Sequence, residues 1–278
     1  MYVRGKPWTI VVDDIFLHYK LSGLKSALVG DDKSLWGPIL EKAFAKVKGN
    51  YAAADLGLLK NGIRSLTGAP VFGFKLSSRS TYSSNDATFK SIVAAHSKNY
   101  LVNVQTNGFD SNKNKYGIPN GHAYSILDAF EMGSNQIYMI RNPWSNSDYK
   151  GKWKANDWTD EMVKYVPGGV DPRTSERDGV FFVDSNDFPK VFQYYVIGHY
   201  RPDYIISWYD QENDSGPEQT YYFELQSSGH DLYIDVESYY LKSLPESCVT
   251  LKGKRTYPVV SLEVYFNGYE LESTNYYE

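Results

Sequence analysis

Three side chains have the types and spacing that general acid–base chemistry requires, namely His122, Asn142 and Trp144. The segments GHAYSILDAF and QIYMIRNPW alternate as strands do, and a short turn at residues 133–135 separates them. This pattern predicts a β-hairpin. Because a hairpin places the start of its first strand beside the end of its second, we expect His122 and Asn142 to be neighbours, with Trp144 just beyond.

This trio could support catalysis by a histidine base. An imidazole serves as a general base near neutral pH, and a neighbouring amide oxygen can accept its ring N–H and fix its tautomer. An indole beside the pair would shield that hydrogen bond from water. A packed strand histidine and a turn asparagine before Pro143 would give the same residue types, so the pair alone leaves both interpretations open.

The motifs around the pair resemble those of the calpain family of papain-like cysteine proteases. GHAYSI and RNPW resemble the family's histidine and asparagine motifs, and LEKAFAKVKGNY and RDGVFFVDSNDF resemble two further calpain segments. The resemblance implies that His122 is the catalytic base, Asn142 its orienting partner and Trp144 the shield. The sequence departs from the family at residues 55–57 and 66–69, where calpains carry glycine pairs.

The predicted fold class is α+β. The resemblance implies the antiparallel sheet half of a papain-like core, with flanking helices, over residues 1–202. Residues 203–278 alternate as strands between Gly, Pro and Asn turns, which predicts a small all-β, sandwich-like domain. Periodicity predicts helices near 35–48, 56–66 and 86–98, and strands at 6–14, 100–106 and 191–200.

A cysteine nucleophile is missing from these motifs. Papain-like catalysis needs a thiolate, a histidine that holds its proton and an oxyanion hole. The resemblance implies that the thiolate belongs to the preceding half of the core, yet the only cysteine is Cys248, in the β-rich tail. Cys248 lacks a nucleophile motif, and its expected role is that of a small buried hydrophobe. Ser125 would point to the strand face opposite His122 and is a poor substitute.

The resemblance also raises calcium binding. Asp148 and Asp178 occupy two positions at which calpains place calcium-binding carboxylates, whereas Ala155 and Val180 stand where the family has Asp and Glu. Because calcium prefers about six to eight oxygen ligands, the loss of two carboxylates predicts a degenerate site. Loop solvation or turn capping would explain both aspartates equally well. No other cofactor is expected.

Composition limits the partners and the compartment. The 278 residues carry a net charge of −4, with 42% hydrophobic and 22% charged residues, so nothing favours nucleic acid or an anionic membrane surface as a partner. No segment approaches the length of a spanning helix. A single cysteine favours a reducing, cytoplasmic setting, and the resemblance is compatible with cytoskeletal association. The 25 tyrosines could line a core or an adhesive interface.

Three functional hypotheses remain open. The first is a calpain-like protein that is catalytically inactive by itself and acts as a scaffold, with a protein partner covering its open cleft face. The second is the His/Asn half of an active calpain-type endopeptidase, whose cysteine half lies upstream or on another chain. The third is a calcium-responsive regulator, which a calorimetric calcium titration would test.

Overall fold

The structure, a computed structural model, places the predicted hairpin within a six-stranded antiparallel sheet. The residues described are 1–3, 5–19, 23–24, 27–30, 32–54, 57–76, 84–108, 112–145, 147–208, 220–224, 232–234, 260–266 and 269–276. Two compact units are present and are described separately: Gly57–Ile206, and Met1–Leu56 with Ser207–Glu278. The predicted domains, 1–202 and 203–278, stay a prediction.

The regular elements follow in chain order. The strands are β1 Tyr2–Val3, β2 Lys6–Pro7, β3 His18–Tyr19, β4 Gly23–Leu24, β5 Val71–Lys75, β6 Leu101–Gln105, β7 Ala123–Met132, β8 Asn135–Arg141, β9 Val180–Asp184, β10 Tyr194–Gly198, β11 Val260–Phe266 and β12 Tyr269–Tyr276. The helices are α1 Trp36–Lys48, α2 Tyr51–Ala54, α3 Leu59–Thr67, α4 Asn85–Ser97, α5 Asp160–Val163 and α6 Phe188–Val191. Short 3₁₀ turns lie at Ala155–Asp157, Pro167–Gly169 and Ser175–Asp178.

The main sheet lies in the larger unit and has the strand order β5-β10-β6-β7-β8-β9. Every neighbouring pair is antiparallel. The predicted closing strand, β10, lies between β5 and β6. The α+β class and the antiparallel sheet with flanking helices are therefore confirmed.

Both faces of the sheet are covered near the hairpin. On one face, Phe89 of α4 packs edge-on against Tyr138 of β8, with 5.5 Å between ring centroids. On the other face, Met139 and Phe182 belong to a buried cluster that also contains Trp158. Strand β8 is therefore apolar on both sides, whereas β6 alternates between buried and partly exposed positions.

A buried carboxylate fastens the segment after β8 to the end of β9. Asp184 is 3% exposed and accepts hydrogen bonds from Lys152 Nζ at 2.8 Å and from Trp153 Nε1 at 3.2 Å. The backbone and side-chain N–H groups of Asn186 each add one at 3.0 Å. Burial alone would raise the pKa of Asp184, but these donors together hold it below its ordinary value.

In the smaller unit, α1 lies where helical periodicity predicts it. The aspartate pair at 13–14 lies in a bend, where Asp13 accepts the N–H of Ile15 at 2.9 Å. Lys42 of α1 binds the same carboxylate, and this hydrogen bond is the main reason that the pKa of Asp13 is lowered.

The predicted strand at 6–14 is wrong beyond residue 7. Only Lys6–Pro7 pairs with another strand, β1. Lysine side chains of α1 instead bind backbone carbonyls of this run, Lys46 that of Val11 at 2.5 Å and Lys42 that of Asp13 at 3.2 Å. Residues 8–14 form no strand ladder.

The predicted tail strands are only partly described. Strands β11 and β12 form the expected hairpin, and its Asn-Gly turn lies outside the described residues. Residues 205–208, 220–224 and 232–234 are described and are not in strands, so the strand predictions fail there. The remaining predicted strand segments and Cys248 lie outside the described residues. Among the described helices, none has the length and hydropathy needed to cross a bilayer.

His96, on α4, is a packed histidine, as its position on the helix stripe predicts. Its Nε2 atom is buried and has no hydrogen-bond partner among the described residues. Burial lowers the pKa of this imidazole, and the carboxylate of Asp128 opposes the effect only in part. The folded protein therefore disfavours the protonated ring.

We expect His96 to make the protein less stable in mild acid. An unfolded histidine gains its proton near pH 6.5, and the folded protein resists that proton, so stability is full above about pH 6.5 and falls as the pH drops below it. Urea denaturation at about pH 7.5 and about pH 5 measures the loss. His96→Gln should reduce it, and His18→Gln, at an exposed position, should not. An equal loss in wild type and His96→Gln would contradict the assignment.

Candidate active site

The hairpin brings His122 and Asn142 into contact, as the sequence predicts. The ring Nε2 atom of His122 lies 3.0 Å from the side-chain Oδ1 of Asn142. Asn142 is 2% exposed, and its backbone N–H donates to the carbonyl of Gly179 at 2.8 Å. The orienting amide is therefore held by its own backbone at the end of β8.

A β-bulge in β7 makes this contact geometrically allowed. The turn contains only Gly133 and Ser134, because Asn135 already pairs with Met132. In that register the two residue numbers of a directly opposed pair add up to 267. Asn142 would then lie opposite Ser125, whose side chain is on the other face of the strand from His122, so His122 and Asn142 would lie on opposite faces of the sheet. A register shift between Ile126 and Asp128 changes the sum to 266, as in the pair Ser125–Arg141.

The consequence of the bulge is a change of face. With the shifted register, Asn142 falls opposite Tyr124, and Tyr124 shares its face with His122. Leu127, the extra residue, is 39% exposed. The prediction of proximity is thus confirmed, but it is achieved by a two-residue turn and a bulge rather than by a turn that spans residues 133–135.

Backbone geometry at Asn142 fixes the tautomer of the histidine. The N–H of Trp144 donates to Oδ1 of Asn142 at 3.1 Å, an Asx turn of the kind that an Asn-Pro sequence favours. Because a backbone N–H can only donate, the atom that it contacts is the amide oxygen. His122 Nε2 must therefore be the donor to the same oxygen. The proton of the neutral ring lies on Nε2, and Nδ1 keeps the basic lone pair.

Aromatic rings flank the imidazole on two sides. The ring centroids of His122 and Trp144 are 4.1 Å apart with a tilt of 42°, and Tyr124 meets the imidazole edge-on at 5.0 Å. Tyr124 is fully buried, whereas Trp144 is 50% exposed. His122 Nδ1 has no hydrogen bond to any residue in the described part of the chain. The imidazole is thus packed on the sheet side and accessible beside a half-exposed indole.

The backbone of His122 has an anchor that the sequence patterns did not reveal. Thr106 follows β6 and is 1% exposed, and its hydroxyl accepts the N–H of His122 at 3.0 Å. The sequence predicts only a strand ending at this residue. A polar residue at a buried strand end is a signal that could have marked it, but such residues are common at loop junctions.

Ser125, the candidate substitute for a cysteine nucleophile, is not placed beside the imidazole of His122. Ser125 lies three residues along β7 from His122, on the other face of the strand, and its Oγ is 3.3 Å from Asn103 Nδ2. Cys248 lies outside the described residues. Within the described chain, His122 therefore has an orienting partner and no thiol.

The residues predicted for calcium form a poor donor set. The carboxylate of Asp148 binds the ammonium group of Lys113, and this hydrogen bond is the main reason that its pKa is lowered. The backbone carbonyl of Asp178 accepts the Nε–H of Arg141 at 3.3 Å. Among the described residues no three His, Cys, Asp or Glu side chains cluster as metal ligands would. These contacts do not fit calcium well, and calcium binding stays a prediction.

Comparisons with known proteins show the family of the chain. The family described as "Calpain family cysteine protease" matches residues 1–199. The calpain-type cysteine protease ADL1 of Oryza sativa subsp. japonica is 31% identical over 223 residues, 75% of this chain and 10% of the relative. The calpain-2 catalytic subunit of Gallus gallus is 30% identical over 220 residues, 72% of this chain and 29% of the relative.

Human calpain-7 is similar at 28% identity over 205 residues, 71% of this chain and 24% of the relative. The chain thus spans between 10% and 29% of the length of these three relatives.

We expect Asn142→Leu to lower the free energy of unfolding by about 1–3 kcal/mol. The reason is that the backbone N–H of Trp144 and the ring Nε2–H of His122 both lose their acceptor. Asn142→Asp keeps an acceptor oxygen in the same place, so its loss should be smaller. Urea denaturation near neutral pH measures both variants. An Asn142→Leu protein as stable as wild type would show that the shared oxygen contributes nothing.

Proposed function

Since the chain belongs to the calpain family of cysteine proteases, we propose that it supplies the histidine base and the orienting amide of a peptide-cleaving site. The observation that carries this proposal is the shared acceptor oxygen of Asn142. It accepts from His122 Nε2 at 3.0 Å and from the Trp144 N–H at 3.1 Å. That arrangement leaves Nδ1 unprotonated in the neutral ring, which is the state that a general base needs.

In the proposed reaction, His122 Nδ1 takes the proton of a cysteine thiol. The resulting thiolate attacks the carbonyl carbon of the scissile peptide bond and forms a C–S bond. The imidazolium then returns its proton to the leaving amine as the C–N bond breaks. In the second half of the cycle, water attacks the thioester carbon and forms a C–O bond while Nδ1 accepts its proton. The C–S bond then breaks, and Nδ1 gives the proton to the departing thiolate.

Asn142 and Trp144 support this cycle without bond making. The amide oxygen of Asn142 holds the Nε2–H in both charge states of the ring, so the ring does not rotate when Nδ1 gains a proton. The indole of Trp144 covers the imidazole at a centroid distance of 4.1 Å. The indole keeps water away from the hydrogen bond between His122 and Asn142, and a hydrogen bond shielded from water is electrostatically stronger.

The proposal requires a thiol from outside these 278 residues. The only cysteine is Cys248, in a segment without a nucleophile motif. We propose that a cysteine-bearing polypeptide segment covers the face that carries His122 and the 50% exposed Trp144. The segment belongs either to a longer form of this protein or to a partner chain.

A scaffold without catalysis is the second candidate function, and the single cysteine favours it. The 25 tyrosines would then serve adhesive surfaces. The weakness of this candidate is chemical, because a scaffold has no need for an oriented, unprotonated Nδ1. A cytoplasmic setting and an association with the cytoskeleton remain predictions that accompany either candidate.

The deciding experiment treats the native protein with a biotinylated epoxysuccinyl inhibitor, which alkylates thiolates of papain-like sites, and reads intact mass and the labelled peptide. We expect label on a cysteine other than Cys248, in a polypeptide larger than 31.7 kDa or in a companion chain. A mass near 31.7 kDa without label would favour the scaffold. Label on Cys248 itself would overturn the outside origin of the thiol.

A variant series assigns the base. His122→Ala should slow labelling at least about 100-fold, the usual contribution of a positioned general base. His18→Ala, which removes an exposed histidine, is the matched control and should label at the wild-type rate. Equal rates in the two variants would exclude His122 as the base.

A further inference from the structure

We infer that Thr106 is a positioning residue for His122, which goes beyond the proposed function and rests on the role proposed there for the imidazole. Thr106 is 1% exposed and lies one residue after β6. Among the described residues, its hydrogen bonds go to Pro119 and to the backbone of His122, and none goes to Asn142 or the imidazole. Its effect on the base passes through the backbone of His122.

The contact between the two residues is unusual for an antiparallel ladder. The N–H of Thr106 donates to the carbonyl of His122 at 3.0 Å, as expected where β6 and β7 run on beyond the pair Gln105–Ala123. The reciprocal bond does not go to the Thr106 carbonyl. The N–H of His122 donates instead to the Thr106 hydroxyl oxygen at 3.0 Å.

The same hydroxyl also binds the loop that leads into His122. A hydroxyl has one proton to give, and two carbonyl oxygens lie within its reach, that of Pro119 at 2.9 Å and that of His122 at 3.2 Å. The contact to the Pro119 oxygen is the shorter of the two. Tyr124 donates to that carbonyl oxygen as well, at 3.0 Å. One buried hydroxyl therefore joins the end of β6, the loop at Pro119 and the backbone of His122.

This connection matters because His122 stands outside the strand. Strand β7 begins at Ala123, and the described residues before it, 107–108 and 112–122, belong to no helix or strand. Without the hydroxyl, the backbone N–H of His122 would lose its hydrogen-bond acceptor. The bond from the Thr106 N–H to the His122 carbonyl would then be the remaining backbone contact between the two residues. The direction of the Cα–Cβ bond, and with it the Nε2 contact to Asn142, depends on that backbone.

The distinguishing readout is the imidazole itself, observed by ¹⁵N NMR on the chain in neutral solution. In wild type we expect a protonated Nε2 with a slowly exchanging proton and an unprotonated Nδ1. Thr106→Val, which removes the hydroxyl at nearly constant shape, should speed exchange of the Nε2 proton by about five- to tenfold, the range expected for one lost hydrogen bond. Thr106→Ser restores the hydroxyl and should return exchange to the wild-type rate.

The matched control is Thr67→Val, which makes the same change of side chain. The Thr67 hydroxyl donates to the carbonyl of Ile63 at 2.7 Å and accepts the N–H of Ala69 at 3.2 Å. This variant loses one hydroxyl in the same compact unit and should leave the imidazole signals unchanged. If Thr67→Val speeds exchange as much as Thr106→Val, the effect is general loss of stability and the inference fails.

A measurement on wild type covers the case in which Thr106→Val does not fold. Hydrogen exchange of the His122 backbone amide should be as slow as that of the strand amides in β7, and exchange at the rate of an open loop amide would overturn the inference. The failure of the proposed function and the failure of this inference give different results. A neutral wild-type ring that carries its proton on Nδ1 would contradict the proposed function. A folded Thr106→Val protein with the wild-type tautomer and the wild-type exchange rate of the Nε2 proton would contradict only the role of Thr106.

Discussion

The hydrogen bond between His122 Nε2 and Asn142 Oδ1 is the interaction on which the site depends, and strand register decides whether it can form. A two-residue turn at Gly133 and Ser134 sets a register that separates the two side chains onto opposite faces. The bulge at Leu127 reverses the face of every β7 residue before it. The extra residue therefore has a positional role, since it is the step that lets the base meet its partner.

The rest of the larger unit gives this contact a rigid frame. Strand β8 is buried on both faces, by α4 and by the Trp153 and Trp158 cluster, so the strand that carries Asn142 has little freedom to move. The loop before His122 is tied to the segment after Trp144, because the Lys150 N–H donates to the Tyr116 carbonyl at 2.9 Å. Catalytic-type side chains thus stand at strand ends that packed layers hold in place.

The described part of the chain presents an oriented imidazole and no thiol beside it. In the Asx turn, the amide oxygen of Asn142 accepts the N–H of Trp144. The ring Nε2 of His122 must therefore donate to the same oxygen, and Nδ1 of the neutral ring keeps its lone pair. These are properties of the imidazole's surroundings and exist whether or not a thiol is present. They accompany membership of the calpain family of cysteine proteases.

The sequence alone determined the hairpin and the nearness of its two ends, because residue types and alternation are local in the chain. The family resemblance, and the fold class that it implies, follow from motifs that are also local. The sequence also predicted the helix near 86–98, and α4 spans Asn85–Ser97, with Ser84 Oγ accepting the Ala87 N–H at 3.1 Å. It failed beyond residue 7 of the predicted strand at 6–14, where lysines of α1 bind backbone carbonyls and no strand forms.

Only the tertiary structure decided the two-residue turn, the bulge and the role of Thr106. A bulge adds one residue without a distinctive side chain, and its register is known only when both strands are paired. Thr106 and His122 are far apart along the chain, and a buried threonine has no pattern that names its partner. The alternation of residue types shows which side chains of one strand share a face. Which face of one strand meets which face of its neighbour depends on the register, and the register is set only when the two strands pair.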